Sequence, residues 1–296
     1  MNPKIPVDPL AEMINTLDLK SIENSSTKED LFEGPSQWMP HGRVFGGQVL
    51  AQSLVAATRT IDAREVHSMH GYFLRPGDIN LPITFSVDRL RDGRSFSTRR
   101  VQAFQKNEAI FSMIASFQEH DPGLEHQDEF PSGIPDPESL PSAADLIGDN
   151  PHPVAQYWSK ARPFDMRHVP SAIYFKVEGE PVAHQAVWLK ALGELPESQE
   201  LHTAALAYAS DYSILESIYR RHGIAWSHPG LKSASLDHAM WFHRPARADQ
   251  WMLYVQESPS AQGGRGLALG KIFSSRGELL ATVAQEGMVR VPELAG

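Results

Sequence analysis

The sequence predicts an α+β protein made of two tandem copies of one unit, a helix laid on an antiparallel sheet. Three observations predict it. First, one stretch occurs twice: residues 66–76 read VHSMHGYFLRP and residues 235–245 read SLDHAMWFHRP. Laid over each other without a gap, they pair Tyr72 with Trp241, Phe73 with Phe242, Arg75 with Arg244 and Pro76 with Pro245. The same offset pairs Phe104 with Phe273, Ile110 with Leu279 and Ala115 with Ala284. Second, an apolar helix pattern rich in small residues precedes each copy. Third, short strand-like segments with turn residues between them follow each copy. A repeat this long is not a solenoid period, which is about 20–50 residues.

In chain order, LAEMINTLDL within residues 8–33 is a modest helix candidate, followed by a polar run. HGRVFGGQVLAQSLVAAT, residues 41–58, is the first main helix. Val49, Ser53 and Ala56 share one face and Leu50, Leu54 and Ala57 a neighbouring one, so the helix is apolar around much of its circumference and is expected to be buried. Residues 66–118 read as a meander, VHSMHGYFL, LPITFSVDRL, SFSTRRVQAFQ and AIFSMIASFQ, with turns at RPGD, RDGR and QKNE. Such a sheet needs one covered face, which the preceding helix can supply. In the second half, SAIYFKVEG and HQAVWLKAL are strand candidates and residues 201–223 form the second helix, with Asp211, Leu215 and Ile218 on one face. WMLYVQES, GLALGKIFSS and ELLATVAQEGMVRV complete the second sheet. The predicted organisation is a first repeat at 1–118, a proline-rich linker at 119–170 that packs across the surface, and a second repeat at 171–296. A helix covering an antiparallel sheet twice over gives the α+β class.

The bulk properties narrow the function. Hydrophobic residues at 41% and charged residues at 21% describe a globular chain, and no window approaches 18 apolar residues. The start, MNPKIPVDPLAEMINTL, lacks the basic and apolar regions of a secretory signal, and PELAG is not a peroxisomal address. The chain has no cysteine, which excludes disulfides, thiolate catalysis and Cys-ligated zinc and fits the cytoplasm. A net charge of −9 argues against a general nucleic-acid surface.

The segments RVFGGQVLAQSLVAA, VHSMHGYFLRPGD, LAYASDYSIL, SLDHAMWFHRP and VAQEGMVR fall in the order in which they occur in the acyl-CoA thioesterase II family, which the chain therefore resembles. The resemblance covers nearly all of the sequence except 119–160. It implies a double hotdog fold, two long helices wrapped by one continuous curved sheet. It also implies hydrolysis of fatty acyl-CoA to free acid and CoA without a covalent intermediate. The attacking water would be held by Asp211, Ser235 and Gln285, the second of which is often Thr in the family. The resemblance implies a homo-oligomer, generally a dimer or tetramer, and with no Cys, no H-E-x-x-H and no credible phosphate loop no cofactor is expected.

Read by themselves, these residues leave alternatives open. Alternation along ELLATVAQEGMVRV puts Gln285 on the apolar face with Leu279, Ala281, Val283 and Val289, where an unpartnered amide costs about 1–3 kcal/mol. A backbone partner in the core would satisfy it as well as a functional one. Asp211 shares a helical face with Leu215 and Ile218, so it is either paired, hydrogen-bonded or an N-cap at a helix break. Alternation groups Ser235 with Ser233, Asp237 and Trp241 on a mixed face, as a solvated strand serine would be. At the repeat offset Ser235 faces Val66 and Gln285 faces Ser116, so these two groups are peculiar to the second half. That is what one working site and one retired copy would produce, and also what drift would produce.

The chemistry asks for these residue types. A carboxylate can take a proton from water, while a hydroxyl and an amide can fix the water's approach. A helix N-terminus or a loop would supply N–H donors to the developing oxyanion.

Arg75, Arg244 and Arg265 are candidate contacts for the CoA phosphates, or ordinary solvated and ion-paired arginines. His67 and His70 fall on opposite strand faces and make poor joint metal ligands. His238 reads as structural, and GGRGLALG as a glycine-rich turn. No metal site is expected. The rival functions are a catalytically silent acyl-CoA-binding or regulatory protein and a hotdog hydratase. No G-x-S-x-G elbow supports a serine hydrolase.

Overall fold

A computed structural model describes residues 5–23 and 28–292 of the chain. The first copy opens with helix α1 (Pro9–Leu17), whose start is set by Asp8: its carboxylate accepts the Ala11 N–H at 3.0 Å, and Pro9 stands at N1. Strands β1 (Lys20–Ile22) and β2 (Asp30–Gly34) follow, then helix α2 (Gly46–Thr58). The meander is β3 (Glu65–Phe73), β4 (Ile83–Asp92), β5 (Phe96–Gln105) and β6 (Glu108–Gln118). Short helices α3 (Ala143–Ile147) and α4 (Pro153–Gln156) lie between the copies. The second copy holds β7 (Phe164–Val169), β8 (His184–Ala191), α5 (Gln199–Ser210), α6 (Glu216–Arg221), β9 (Lys232–Ser235), β10 (Asp237–Phe242), β11 (Met252–Gln262), β12 (Arg265–Ser274) and β13 (Leu279–Arg290).

Among the described residues all thirteen strands belong to one antiparallel sheet in the order β1-β2-β4-β5-β6-β3-β10-β13-β12-β11-β8-β7, with β9 also paired to β13. The repeated stretch forms its central seam. There β3 and β10 run antiparallel, Tyr72 opposite Asp237 and Ser68 opposite Trp241, and join the two copies. This is the double hotdog architecture of the α+β class.

Helix α2 is buried from Gly47 to Ala57, as its all-round apolar pattern requires. Truncating Leu50 or Leu54 there, at 0% and 2% exposure, would cost about 2–5 kcal/mol. Its two buried amides are satisfied. Gln48 accepts the Gln37 N–H at 3.0 Å and donates to Pro35 O at 3.0 Å, while Gln52 donates to Thr16 O at 2.9 Å. These bonds seat the first half of α2 against the chain that leads into it. Helix α5 packs directly on α2. The approach is close enough that a Cβ on Gly47 would come within 2.3 Å of the Tyr208 carbonyl oxygen.

Several expectations need correction. The helix predicted over 201–223 is broken: α5 stops at Ser210, residues 211–215 form turns, and α6 resumes at Glu216. SAIYFKVEG forms no strand. The edge strand next to β8 is β7, which lies inside the span read as linker and is paired from Phe164↔Ala191 to Val169↔Ala186.

The gapless offset also fails in the last strand. His238 stands at the repeat position of Met69, and the ladders place it across from Gln285, since Ala239 pairs with Ala284, just as Met69 pairs with Ala115. The counterpart of Gln285 is therefore the inward Ala115, one residue from Ser116. Hydrogen bonds at the ends of β3 and β10 agree. Leu74 N–H bonds to Ile110 O and His243 N–H to Leu280 O, so Ile110 corresponds to Leu280 and not to Leu279.

Candidate active site

Where β9 meets β10 the strand carries an irregularity that decides which way Ser235 points. Ser235 pairs with Gly287 in one register, and from Ala239 onward β10 pairs with the same strand β13 shifted by one residue. The carboxylate of Asp237 fills the gap by accepting the Glu286 N–H at 2.7 Å. An extra residue on one strand reverses the side-chain alternation beyond it. Ser233 and Ser235 therefore point to the same inner face as His238 and Met240, against the simple period of two. Gln285 is inward as alternation predicted, at 1% exposure.

Asp211 reaches this place by another local break. It is the C-cap of α5, not an N-cap, with φ −87° and ψ −7°. Ser235 Oγ donates to Asp211 Oδ1 at 3.0 Å, and Gln285 Nε2 donates to Ser235 Oγ at 2.9 Å. The structure thus brings all three predicted residues into one hydrogen-bonded cluster. Asp211 is half-buried. Burial pushes its carboxyl up to about 6 from an ordinary 3.8, against the opposing pull of hydrogen bonds from Ser235, Gln285 and the Gly47 N–H.

That last bond marks a feature the sequence did not name. The N-terminus of α2, from the first copy, abuts the carboxylate from the second. Phe45, its N-cap, makes no side-chain capping bond, and the Asp211 carboxylate serves the first turn in its place by accepting the Gly47 N–H. The positive end of the helix favours negative charge there. Gly46 permits the approach: a Cβ at that position would lie 2.6 Å from Asp211 Oδ2 and 3.1 Å from the Phe73 ring. The surroundings are otherwise aromatic. Phe45 stacks on Tyr212 with ring centroids 4.6 Å apart and meets Tyr208 edge-on at 5.2 Å. Behind the cluster, fully buried His238 is hydrogen-bonded to Gln285 Oε1.

The three arginines part company. Arg75 follows β3 just beyond Phe73, whose N–H bonds to Leu236 O beside Ser235. Arg265 stands opposite Met288, the partner of Ala234, and its Nε is 3.0 Å from Glu286 Oε1. Both lie at the cluster's end of the seam. Arg244 lies at the opposite end, beyond Phe242, about 20 Å away at roughly 3.3 Å per strand residue. Its Nη1 donates to Leu279 O at 3.0 Å, as Arg75 Nη1 donates to Ala109 O at 2.9 Å.

Arg244 lines a cavity of about 320 Å³ together with Thr58, Val66, His67, Glu200 and Thr203. This is the counterpart of the cluster in the other copy. Val66 stands in place of Ser235 there, and the first turn of α5, capped by Ser198, stands in place of that of α2. Gln199 Nε2 bonds to Thr203 Oγ1 there at 3.3 Å, but among the described residues neither donates to the neighbouring Glu200 carboxylate as Ser235 donates to Asp211. His67 bonds to Ser116 Oγ at 2.8 Å, and His70 lies edge-on to Trp241 at 5.0 Å. Gly263 and Gly264, both at positive φ, form the turn between β11 and β12, and the rest of GGRGLALG lies in β12. Among the described residues no group of three or more His, Cys, Asp or Glu could hold a metal ion, and no helix is long and apolar enough to cross a membrane.

Fold and site together define a hotdog-fold thioester hydrolase. Residues 159–288 match the family model described as acyl-CoA thioesterase, and residues 34–118 match the acyl-CoA thioesterase N-terminal domain. The chain is 38% identical to acyl-coenzyme A thioesterase 8 of Homo sapiens, over 96% of this chain and 92% of that one. It is also 38% identical to acyl-CoA thioesterase 2 of Haemophilus influenzae, over 97% and 99%. Among solved structures it resembles the acyl-CoA thioesterase II TesB2 of Mycobacterium marinum, with a TM-score of 0.76, 41% identity, and coverage of 96% and 99%. The chain belongs to the acyl-CoA thioesterase II family, and it is an enzyme that hydrolyses acyl-CoA thioesters.

Proposed function

We propose that the enzyme hydrolyses fatty acyl-CoA at the Asp211–Ser235–Gln285 cluster, by direct attack of water and without a covalent intermediate. The observation that carries this reading is the cluster itself, a half-buried carboxylate held by a hydroxyl and an amide at the N-terminus of α2. Asp211 takes the proton from water. A carboxyl raised to about 6 suits that task, because the best base has a pKa near the working pH. The Ser235 hydroxyl spends its proton on Asp211 and receives one from Gln285, which leaves an oxygen lone pair to accept from the water and fix its line of approach. As the carbonyl oxygen gains charge, the positive N-terminal end of α2 stabilises it, the Gly47 N–H itself being held by Asp211.

The aromatic wall of Phe45, Phe73, Tyr208 and Tyr212 favours an apolar acyl chain, each buried methylene contributing about 0.8 kcal/mol. Arg75 and Arg265 flank the same end of the seam and are the cationic groups offered to CoA phosphates. No metal or organic cofactor takes part in this scheme. A chain-length series of acyl-CoA thioesters with free CoA as the readout tests the proposal. Binding without thiol release for every length would leave the silent acyl-CoA binder in its place.

The protein is further proposed to work in the cytoplasm, in keeping with a chain free of cysteine, and to assemble as a homo-oligomer, a dimer or tetramer. The support for assembly is the apolar strip of Tyr72, Ile114 and Trp241, exposed at 63%, 48% and 37% on the outer face of the seam. Sedimentation velocity giving only monomers at micromolar concentration would refute the assembly.

A further inference from the structure

Behind the cluster runs a buried file of side chains that the scheme above does not use. Ser210 and His238 are 0% exposed and Gln285 is 1% exposed. His238 Nε2 lies 2.9 Å from Ser210 Oγ, and Nδ1 is hydrogen-bonded to Gln285 Oε1. Ser210 Oγ is also 2.8 Å from Ala207 O.

Donor and acceptor chemistry allows two consistent arrangements. In the first, the Ser210 hydroxyl donates to a bare Nε2, Nδ1–H donates to the Gln285 oxygen, Gln285 Nε2–H donates to Ser235, and Ser235 donates to Asp211. In the second, Ser210 donates to Ala207 O and the imidazole carries its proton on Nε2. The bare Nδ1 must then face the amide nitrogen of a flipped Gln285. The Gln285 oxygen would face Ser235 and take its hydroxyl proton, leaving Asp211 without that donor. The carboxylate selects the first arrangement, and with it the Nδ1–H tautomer, the Ser210 proton then going to Nε2 instead of Ala207 O. Burial supports a neutral ring, lowering the His238 pKa to about 4 against the opposing effect of its bond to Gln285.

The geometry points to His238 as a positioning residue. Its Nδ1–H holds the Gln285 amide in the one orientation that aims Nε2 at Ser235, and so commits the Ser235 proton to Asp211. This role rests on the catalytic reading of the cluster. It also closes a circuit: the file leaves α5 at Ser210, crosses β10, β13 and β9, and returns to the next residue, Asp211.

Asparagine and glutamine separate this role from simple packing, since the amide nitrogen of Asn sits where Nδ1 sits and that of Gln where Nε2 sits. His238→Asn is expected to stay within about threefold of wild-type kcat. His238→Gln and His238→Leu are expected to lose on the order of 10²-fold, the usual consequence of misplacing a reacting group by about 1 Å, with KM little changed. In a Gln285→Ala background, His238→Leu should cost less than about twofold more, because the amide it orients is gone.

Additive losses in that double variant, or equal losses in His238→Asn and His238→Gln, overturn the positioning role. Should His238→Leu fail to fold, the Asn and Gln pair decides it. Wild-type kcat in Gln285→Ala itself would overturn the catalytic reading beneath it, which is a distinct result.

Discussion

Replacing Asp211 with Asn keeps the side chain's shape and removes its capacity to accept a proton as a carboxylate. Two effects of opposite sign follow. A positioned base contributes about 10²–10⁴-fold, so kcat should fall by that factor, or about 3–5 kcal/mol of barrier. Stability should move the other way. The folded chain holds the Asp211 proton more tightly than the unfolded chain does, its pKa rising from 3.8 to about 6. Below 3.8 both states are protonated and the group has no effect. Between 3.8 and 6 the unfolded state ionises first, so wild-type stability falls as pH rises. Above 6 the whole penalty is present, about 3 kcal/mol by linkage.

Asn never ionises and escapes the penalty. It does set an amide NH₂ against one of two donors, Ser235 Oγ–H or Gly47 N–H, which costs a roughly pH-independent 1–3 kcal/mol. The clean observable is therefore the stability of Asp211→Asn relative to wild type, measured by urea unfolding at a series of pH values. It should rise by about 3 kcal/mol from pH 3.5 to pH 7 and then level off. A stability difference flat in pH would refute the buried, raised carboxylate. A variant that keeps more than about a tenth of wild-type kcat, well short of a base effect, would remove Asp211 from the mechanism.

Wild-type kcat/KM should fall below about pH 6 as Asp211 takes up its proton, and a stopped-assay pH series reads this directly. Gly46→Ala places a Cβ 2.6 Å from Asp211 Oδ2, so it should cut kcat by about 10-fold or more, a displacement effect. Circular dichroism should show α2 intact, since Ala is the better helix former by about 1 kcal/mol. Ser235→Ala should lower kcat while Ser235→Thr retains most of it, whereas Val66→Ser at the counterpart position should change melting more than turnover; equal losses of kcat at both positions would sink the one-site reading. Full thiol-release activity is expected after exhaustive chelation, and loss restored by a divalent ion would contradict it.

How far each site residue was legible depends on what sets its direction. Gln285 lies on β13, whose ladder with β12 runs unbroken past that point, so simple alternation gave its face. Ser235 precedes the register shift before Ala239, so the same rule misassigned it. Nothing local in SLDH announces that Asp237 will accept a backbone N–H and absorb an extra residue. The apolar period of residues 201–223 continues across Asp211, so a break there stood only as one alternative, and the break that occurs makes Asp211 the C-cap of α5 and not an N-cap. Gly46 and Gly47 read only as small residues, because their function is the approach of one copy to the other, and no short-range pattern encodes that distance. The repeat, by contrast, was plain from residue identities, but the pairing of its two copies as a seam depends on long-range contacts that those identities do not encode. The offset slipped by one residue only where the second copy's last strand is displaced against the first's.

Asp211 comes from the second copy and the helix start beside it from the first. This has a consequence for when the enzyme becomes active. During synthesis the complete first copy carries Gly46 and Gly47 but no carboxylate to meet them. Ladder bonds across the β3–β10 seam join segments far apart along the chain, and such contacts are slow to form because loop closure must precede them. On the proposed assignment of the site, hydrolysis is expected to be the last property the folding chain acquires, gained when the copies dock and not when either one folds. In a refolding experiment, thiol release should lag the recovery of helix and sheet signal. Equal rates for the two would show that the seam closes early.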